Sequence, residues 1–185
     1  SGPWYPMKSH DAAWRLFLGR FPVSRKGGTR GGARIPVQWF VGTITNKLDA
    51  KGRVSVPAPF RQVLAAQGNE GLYCVPSIGG EKSLTGFGNT LFARQQELLK
   101  PLNPMFDRSF APRAHAIFGS ARHLSFDDDG RVRLPDDLIS HAAISEKISF
   151  VGLGDIFEIW NPDLLVEIEK KRLAETEALF KAGSP

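Results

Sequence analysis

From Phe40 onward the apolar positions fall into short alternating runs broken by Gly, Asn and Asp, the pattern of strands, and between them into helically spaced groups opened by turn residues. Residues 40–48 read as a strand, Asp49-Ala50-Lys51-Gly52 as a tight turn, and residues 53–56 as a second strand ending at Pro57, which together predict a hairpin. Pro57 has the fixed φ that suits a first helical position, Phe60, Val63 and Leu64 follow at helical spacing, and Gly68 supplies a stop. Residues 72–75 and 84–87 read as strands and residues 90–99 as a helix that starts after Asn89. Asn103-Pro104 repeats the cap-plus-proline signal and opens a helical stretch towards Gly119, with a kink expected at Pro112.

The same order then returns. Leu48-Asp-Ala-Lys-Gly-Arg-Val-Ser-Val-Pro57 aligns without gaps on Phe126-Asp-Asp-Asp-Gly-Arg-Val-Arg-Leu-Pro135, with Asp, Gly, Arg, Val and Pro identical in the two copies. Leu138 and Ile139 begin a short helix, residues 148–151 match the strand at Leu72, and residues 156–160 match residues 83–87. Asn161-Pro162-Asp163 opens a final helix, with Leu164, Leu165, Ile168 and Leu173 available for packing and Glu167, Glu169, Lys170 and Lys171 for solvent. Either copy alone, about 45 to 60 residues, is too small to bury its sheet faces well. Exchange of strands between the copies would close a barrel and remove edges whose free N–H and C=O groups invite aggregation. The expected class is therefore α+β, mainly β, pseudo-twofold, with flanking helices. Its expected divisions are an arm over residues 1–39, a first module over 40–100, a connecting helical segment over 101–122 and a second module with a C-terminal helix over 123–185.

Charge changes this picture through its location. The chain carries a formal +5, but residues 1–39 hold seven basic side chains against the single acid Asp11, and the remainder holds 17 basic against 18 acidic groups. Net charge alone thus cannot argue for a polyanionic partner, and any positive face of the folded part has to be made by position. The glycine- and proline-rich arm reads as an extension, with a grazing contact to DNA as the alternative. The one cysteine, Cys74, excludes an intrachain disulfide framework and a multi-cysteine zinc site, and reads as a small core hydrophobe. No apolar run approaches the roughly 20 residues of a membrane helix. A cytoplasmic protein without membrane or cofactor is expected. Single, scattered histidines and the absence of nucleophile-elbow or phosphate-loop spacing argue against an enzyme.

The repeated turn carries the candidate chemistry. Asp49 can accept backbone N–H bonds inside the turn, Gly52 tolerates positive φ, and Arg53 leaves in a defined direction, where its guanidinium can meet a phosphate or a guanine edge. Asp49 can equally pair with Arg53 and simply lock the loop. Asp127, Gly130 and Arg131 are the counterparts. Lys47, Lys51 and Arg61 accompany the first copy in sequence, whereas Arg122 and Arg133 in the second are joined by Asp128, Asp129, Asp136 and Asp137. DNA contact is therefore expected from Lys51, Arg53 and Arg61, with Arg131 and Arg133 assisting and the second loop partly structural.

The stretch Phe40-Val-Gly-Thr-Ile-Thr-Asn-Lys-Leu-Asp-Ala-Lys-Gly-Arg-Val-Ser-Val-Pro57, together with Asp127 and Arg131, resembles the MraZ family, whose chains resemble two AbrB-type swapped-hairpin modules in tandem. The resemblance runs from about Phe40 to about Phe180, and its motif falls on Asp49, Arg53, Asp127 and Arg131. It implies a swapped-hairpin, double-split barrel. It also implies a bacterial, nucleoid-associated regulator that binds promoter direct repeats in double-stranded DNA upstream of the division and cell-wall gene cluster, its own promoter included, and assembles into a homo-oligomeric ring. Ring assembly would let weak loops act together on successive repeats. The rival reading is an oligomeric scaffold or protein-interaction module that does not read DNA. The two are separated by the salt dependence of promoter binding.

Overall fold

In the computed structural model, which describes residues 39–78 and 80–181, strand β1 (Phe40–Lys47) does not fold back onto β2 (Arg53–Ser55). Instead β1 pairs antiparallel with β7 (Lys147–Gly154), and β2 pairs with β6 (Arg131–Arg133). The expected hairpin is thereby corrected: its arms form no ladder with each other and are joined by an isolated bridge, Leu48 to Val54, and by Asn46 Nδ2 donating to Ser55 O at 2.7 Å. The reason is burial. Parting the arms lets Phe40 and Val54 both enter a common core, where each is at most 1% exposed.

Strands β3 (Gly71–Pro76), β4 (Ser83–Phe87), β5 (Arg122–Ser125) and β8 (Phe157–Trp160) complete an open six-stranded antiparallel sheet in the order β1-β7-β8-β4-β3-β5, and β2 and β6 form a separate ribbon. The first strand of each repeat is thus paired with the other repeat: β1 with β7, and β5 with β3. Val54 and Val132, equivalent in the aligned copies, face each other at the centre of the ribbon. Among the described residues both repeats share one compact unit, which runs to Ala174.

Helix α1 (Ala58–Ala66) buries Phe60, Val63 and Leu64 as its spacing predicts, and α2 (Asn89–Leu99) starts where Asn89 marks it. Phe60 meets Phe40 at 5.3 Å and Phe157 at 5.2 Å between ring centroids, so residues from both repeats build one aromatic centre. Cys74 lies in that core, and burial pushes its thiol up to about 12. The expected helical stretch from Asn103 is shorter than its signals suggest. Asn103 Oδ1 accepts from the amides of Met105 and Phe106, and Asp107 Oδ1 accepts from Ser109, so local side-chain bonds hold turns there. Helix α3 (Phe110–Ala114) follows and runs on as a π-helical turn (His115–Gly119). Pro112 sits in the first turn of α3, where its missing N–H costs little, rather than at a mid-helix kink.

The second repeat continues with α4 (Asp136–His141), which buries Leu138, and ends in α5 (Pro162–Lys181), capped by Asn161 Oδ1 accepting from Asp163 N. Leu165 packs as expected, but Leu173 is 62% exposed, and its neighbour Arg172 bonds to the sheet instead. Arg172 donates Nη1 to Glu158 Oε2 at 2.7 Å and Nη2 to Glu158 Oε1 at 2.8 Å, and Trp160 Nε1 donates to Glu158 Oε2 at 2.8 Å. Burial pushes the Glu158 carboxyl up, but the Arg172 and Trp160 bonds and the Arg172 charge outweigh it and hold the group below its ordinary 4.5. Arg172→Ala leaves this buried carboxylate without its charge partner, with Trp160 Nε1 still donating to it, and the expected loss is about 2 kcal/mol in stability. Because the folded value is depressed, the stabilisation is complete above the unfolded carboxylate range and fades as pH falls through the folded value. Denaturant titrations at neutral pH and at successively more acid pH should therefore show the gap between wild type and Arg172→Ala narrowing in acid.

The arm expected over residues 1–39 lies, apart from Trp39, outside the described residues. Among the described residues no helix is long and apolar enough to cross a membrane.

Candidate nucleic-acid interface

Each repeated turn is held by its aspartate in the same way. Asp49 Oδ1 accepts from the amides of Lys51 (2.8 Å) and Arg53 (2.9 Å), while Oδ2 accepts from Arg53 Nε at 2.7 Å. Gly52 closes the turn with φ +73° and its amide on Asp49 O at 3.0 Å. In the second copy Asp127 Oδ1 takes the amides of Asp129 (3.0 Å) and Arg131 (2.9 Å), Oδ2 takes Arg131 Nε at 2.9 Å, and Gly130 has φ +70°. The two roles open to Asp49, backbone acceptor and arginine partner, are filled at once by its two oxygens. Bonds from the Arg53 and Arg131 amides lead the causes that hold the Asp49 and Asp127 carboxyls below their ordinary values.

Binding through Nε has a consequence for the arginines. It fixes the side chain while leaving the Nη1–Nη2 edge, the fork that meets phosphate or guanine, for other partners. On Arg53 that edge makes no hydrogen bond or ion pair among the described residues, and its side chain is 35% exposed. Arg131 differs: its Nη2 lies 2.5 Å from Asp129 Oδ2, so one fork nitrogen is already occupied. Hydrogen bonding to Asp127, with the charges of Asp127 and Asp129, raises Arg131 further.

Strand alternation does the rest. In the β2–β6 ribbon Val54 and Val132 are buried, so Arg53, Ser55, Arg131 and Arg133 share the opposite face. Arg53 stands directly across from Arg133, and Ser55 across from Arg131. Like charges placed opposite each other are unfavourable unless an anion joins them.

The antiparallel pairing also regroups the predicted residues. Asp49, Lys51, Gly52 and Arg53 lie at one end of the ribbon, joined there by Arg133 from the other copy. Asp127, Gly130 and Arg131 lie at the other end, and Arg61 joins them: a Cβ at Gly130 would overlap the Arg61 guanidinium. Arg61 is anchored by Nε on Val56 O at 3.1 Å. Over Gly52, by contrast, sits Ile139, the equivalent of Arg61. Sequence proximity had grouped Arg61 with the first loop and Arg133 with the second. The crossing of the strands reverses both. Sequence reading also missed Asp129 as a clamp on Arg131, although the alignment does set it opposite Lys51 of the first copy.

Comparison with known proteins gives the family of the chain. The model for "MraZ protein, putative antitoxin-like" matches residues 117–181. The "Transcriptional regulator MraZ" of Xanthobacter autotrophicus is 46% identical over 136 residues, covering 74% of this chain and 83% of that protein. The chain belongs to the MraZ family. Relatives of the same name from Azorhizobium caulinodans (44% over 124 residues, 67% of this chain and 78% of the relative) and Rickettsia bellii (41% over 119 residues, 64% and 78%) agree. Within this MraZ-family chain the family model covers the second turn, and the first relative's match is long enough to take in more than one repeat.

Proposed function

We propose that the protein is a transcriptional regulator that binds double-stranded DNA in a sequence-specific manner, with the outer face of the β2–β6 ribbon and its two flanking turns as the contact surface. The observation that carries this reading is the Arg53–Arg133 pair: two arginines at directly opposed ribbon positions on a face whose other side is core, one with its fork unengaged by the described residues. A two-stranded ribbon fits the B-DNA major groove, and an arginine fork there can meet guanine O6 and N7 or span to a phosphate. The relatives' shared name, transcriptional regulator, supports the same reading.

In finer detail, the exchanged pairings support a swapped-hairpin, double-split barrel built from two AbrB-like modules, 40–100 and 123–185, with 101–122 between them. The protein represses the division and cell-wall gene cluster and its own promoter through direct repeats, as a cytoplasmic, nucleoid-associated ring without enzymatic activity. Val41, 69% exposed on edge strand β1, faces Leu153, 47% exposed, and this apolar pair supports self-assembly. Lys51, Arg53 and Arg133 hold DNA at one end of the ribbon, Arg131 and Arg61 assist at the other, and Asp49, Gly52, Asp127 and Gly130 shape the turns.

Mobility shifts on a duplex from the region upstream of the protein's own gene, run across a salt series, test this. Neutralising about four phosphates per protomer gives a slope of about −4 in log affinity against log salt. Binding that ignores salt, or no binding, removes DNA from the account and leaves the scaffold.

A further inference from the structure

Pseudo-symmetry raises a difficulty for any reader of asymmetric DNA. Val54 and Val132 meet across the ribbon centre, and the two turns flank it at opposite ends. A protomer with identical ends could sit on one site either way round with equal affinity. The ends are in fact unlike. One end carries Lys51, Arg53 and Arg133, with Asp49 bound to Arg53 and Asp136 beside Arg133. The other carries Arg131 and Arg61 against Asp127, Asp128 and Asp129. At equivalent places Lys51 stands against Asp129, Ala50 against Asp128, Ser55 against Arg133, and Arg61 against Ile139.

We propose that Asp129, with Asp128, is a specificity-determining element that fixes the direction in which each protomer sits on DNA. Asp129 acts twice. Its carboxylate takes a fork nitrogen of Arg131 that would otherwise reach a phosphate, and its 68% exposed side chain, with exposed Asp128, presents negative charge to the backbone. Like-charge contact with phosphate disfavours the flipped pose, in which this end would take the place of the first turn, while Lys51 and the Arg53 fork, unengaged among the described residues, favour the correct one. Specificity then comes from a repulsive element as well as an attractive one. Arg61, reaching across from the first repeat, keeps the second end close enough to neutral to lie against DNA without gripping it.

This inference rests on the DNA-contact reading above, and the experiment separates the two. The Ala50→Cys variant, with its exposed side chain in the first turn, is conjugated to an iron–EDTA cleaving group; the native Cys74 is buried with its thiol pushed up to about 12 and stays unmodified. The probe is a duplex selected by the unmodified wild-type protein from a random-sequence pool. Cleavage on one flank of the bound site at least about tenfold stronger than on the other is expected. Adding Asp128→Ala and Asp129→Lys should bring the two flanks to within about threefold and raise affinity. Equal cleavage of both flanks without those changes, one-sided cleavage that survives them, or a selected sequence that is itself a palindrome overturns the orientation device. Failure of the wild-type protein to enrich any duplex overturns the DNA reading itself, and the device with it.

Discussion

Arg53→Ala is expected to abolish sequence-specific binding while leaving the fold and the oligomer intact. Arg53 is the arginine of the repeated turns whose Nη1–Nη2 edge makes no bond among the described residues, and its Nε is already fixed by Asp49 at 2.7 Å. A fork held this way reaches a base edge or phosphate with little further loss of side-chain freedom, so its removal costs more than that of a mobile lysine. One bidentate base contact is worth about 1–3 kcal/mol, or up to about a hundredfold per protomer, and several protomers on successive repeats multiply the loss. The fold is spared because the Arg53 side chain packs on its own turn, while the backbone bonds from Asp49 Oδ1 to Lys51 and Arg53 do not need it. Arg131→Ala is expected to be milder, since Asp127 and Asp129 already occupy part of that guanidinium. Affinities for the selected duplex, with circular dichroism and sedimentation as controls, check both. Equal affinity of wild type and Arg53→Ala would remove the residue from the interface.

The second large effect falls on the architecture. Gly152→Ala is expected to destabilise the protein by about 3 kcal/mol, lowering the melting temperature by about 10 °C. A Cβ at Gly152 would overlap the backbone of Phe40 and Val41 in the β1 strand supplied by the other repeat. Backbone cannot swing aside as a flexible side chain does, so β1 must shift and pull Phe40 from its contacts with Phe60 and Phe157. Gly154→Ala is the control. Gly154 has φ +81°, but its Cβ would meet nothing, so that variant bears only the left-handed backbone penalty of about 1 kcal/mol. Thermal melts of the two variants that coincide would show that β1 does not lie against Gly152.

Much of this is legible in the residues alone. The paired turns, with aspartate first and glycine fourth, are local chemistry: the aspartate bonds to amides two and four residues on, and such contacts need no tertiary partner. Helix α1 was readable because Pro57 and the Phe60, Val63, Leu64 stripe act over a single turn or two. Leu173 was misread for an instructive reason: helical spacing nominates an apolar face, but the sheet offered Glu158 and Trp160, and the neighbouring Arg172 answered them.

The twin turns, the order of elements repeated in each half and the arginines that leave those turns follow from the residues in chain order, because each depends on bonds between positions a few residues apart. Tertiary structure alone decided that Arg133 stands beside Arg53, that Arg61 lies over Gly130 and that neither repeat pairs its own first two strands as a hairpin. Those neighbours are set by which repeat lends its strand to which sheet. That exchange is driven by burial of one shared core, a property of the two repeats together that no local pattern encodes.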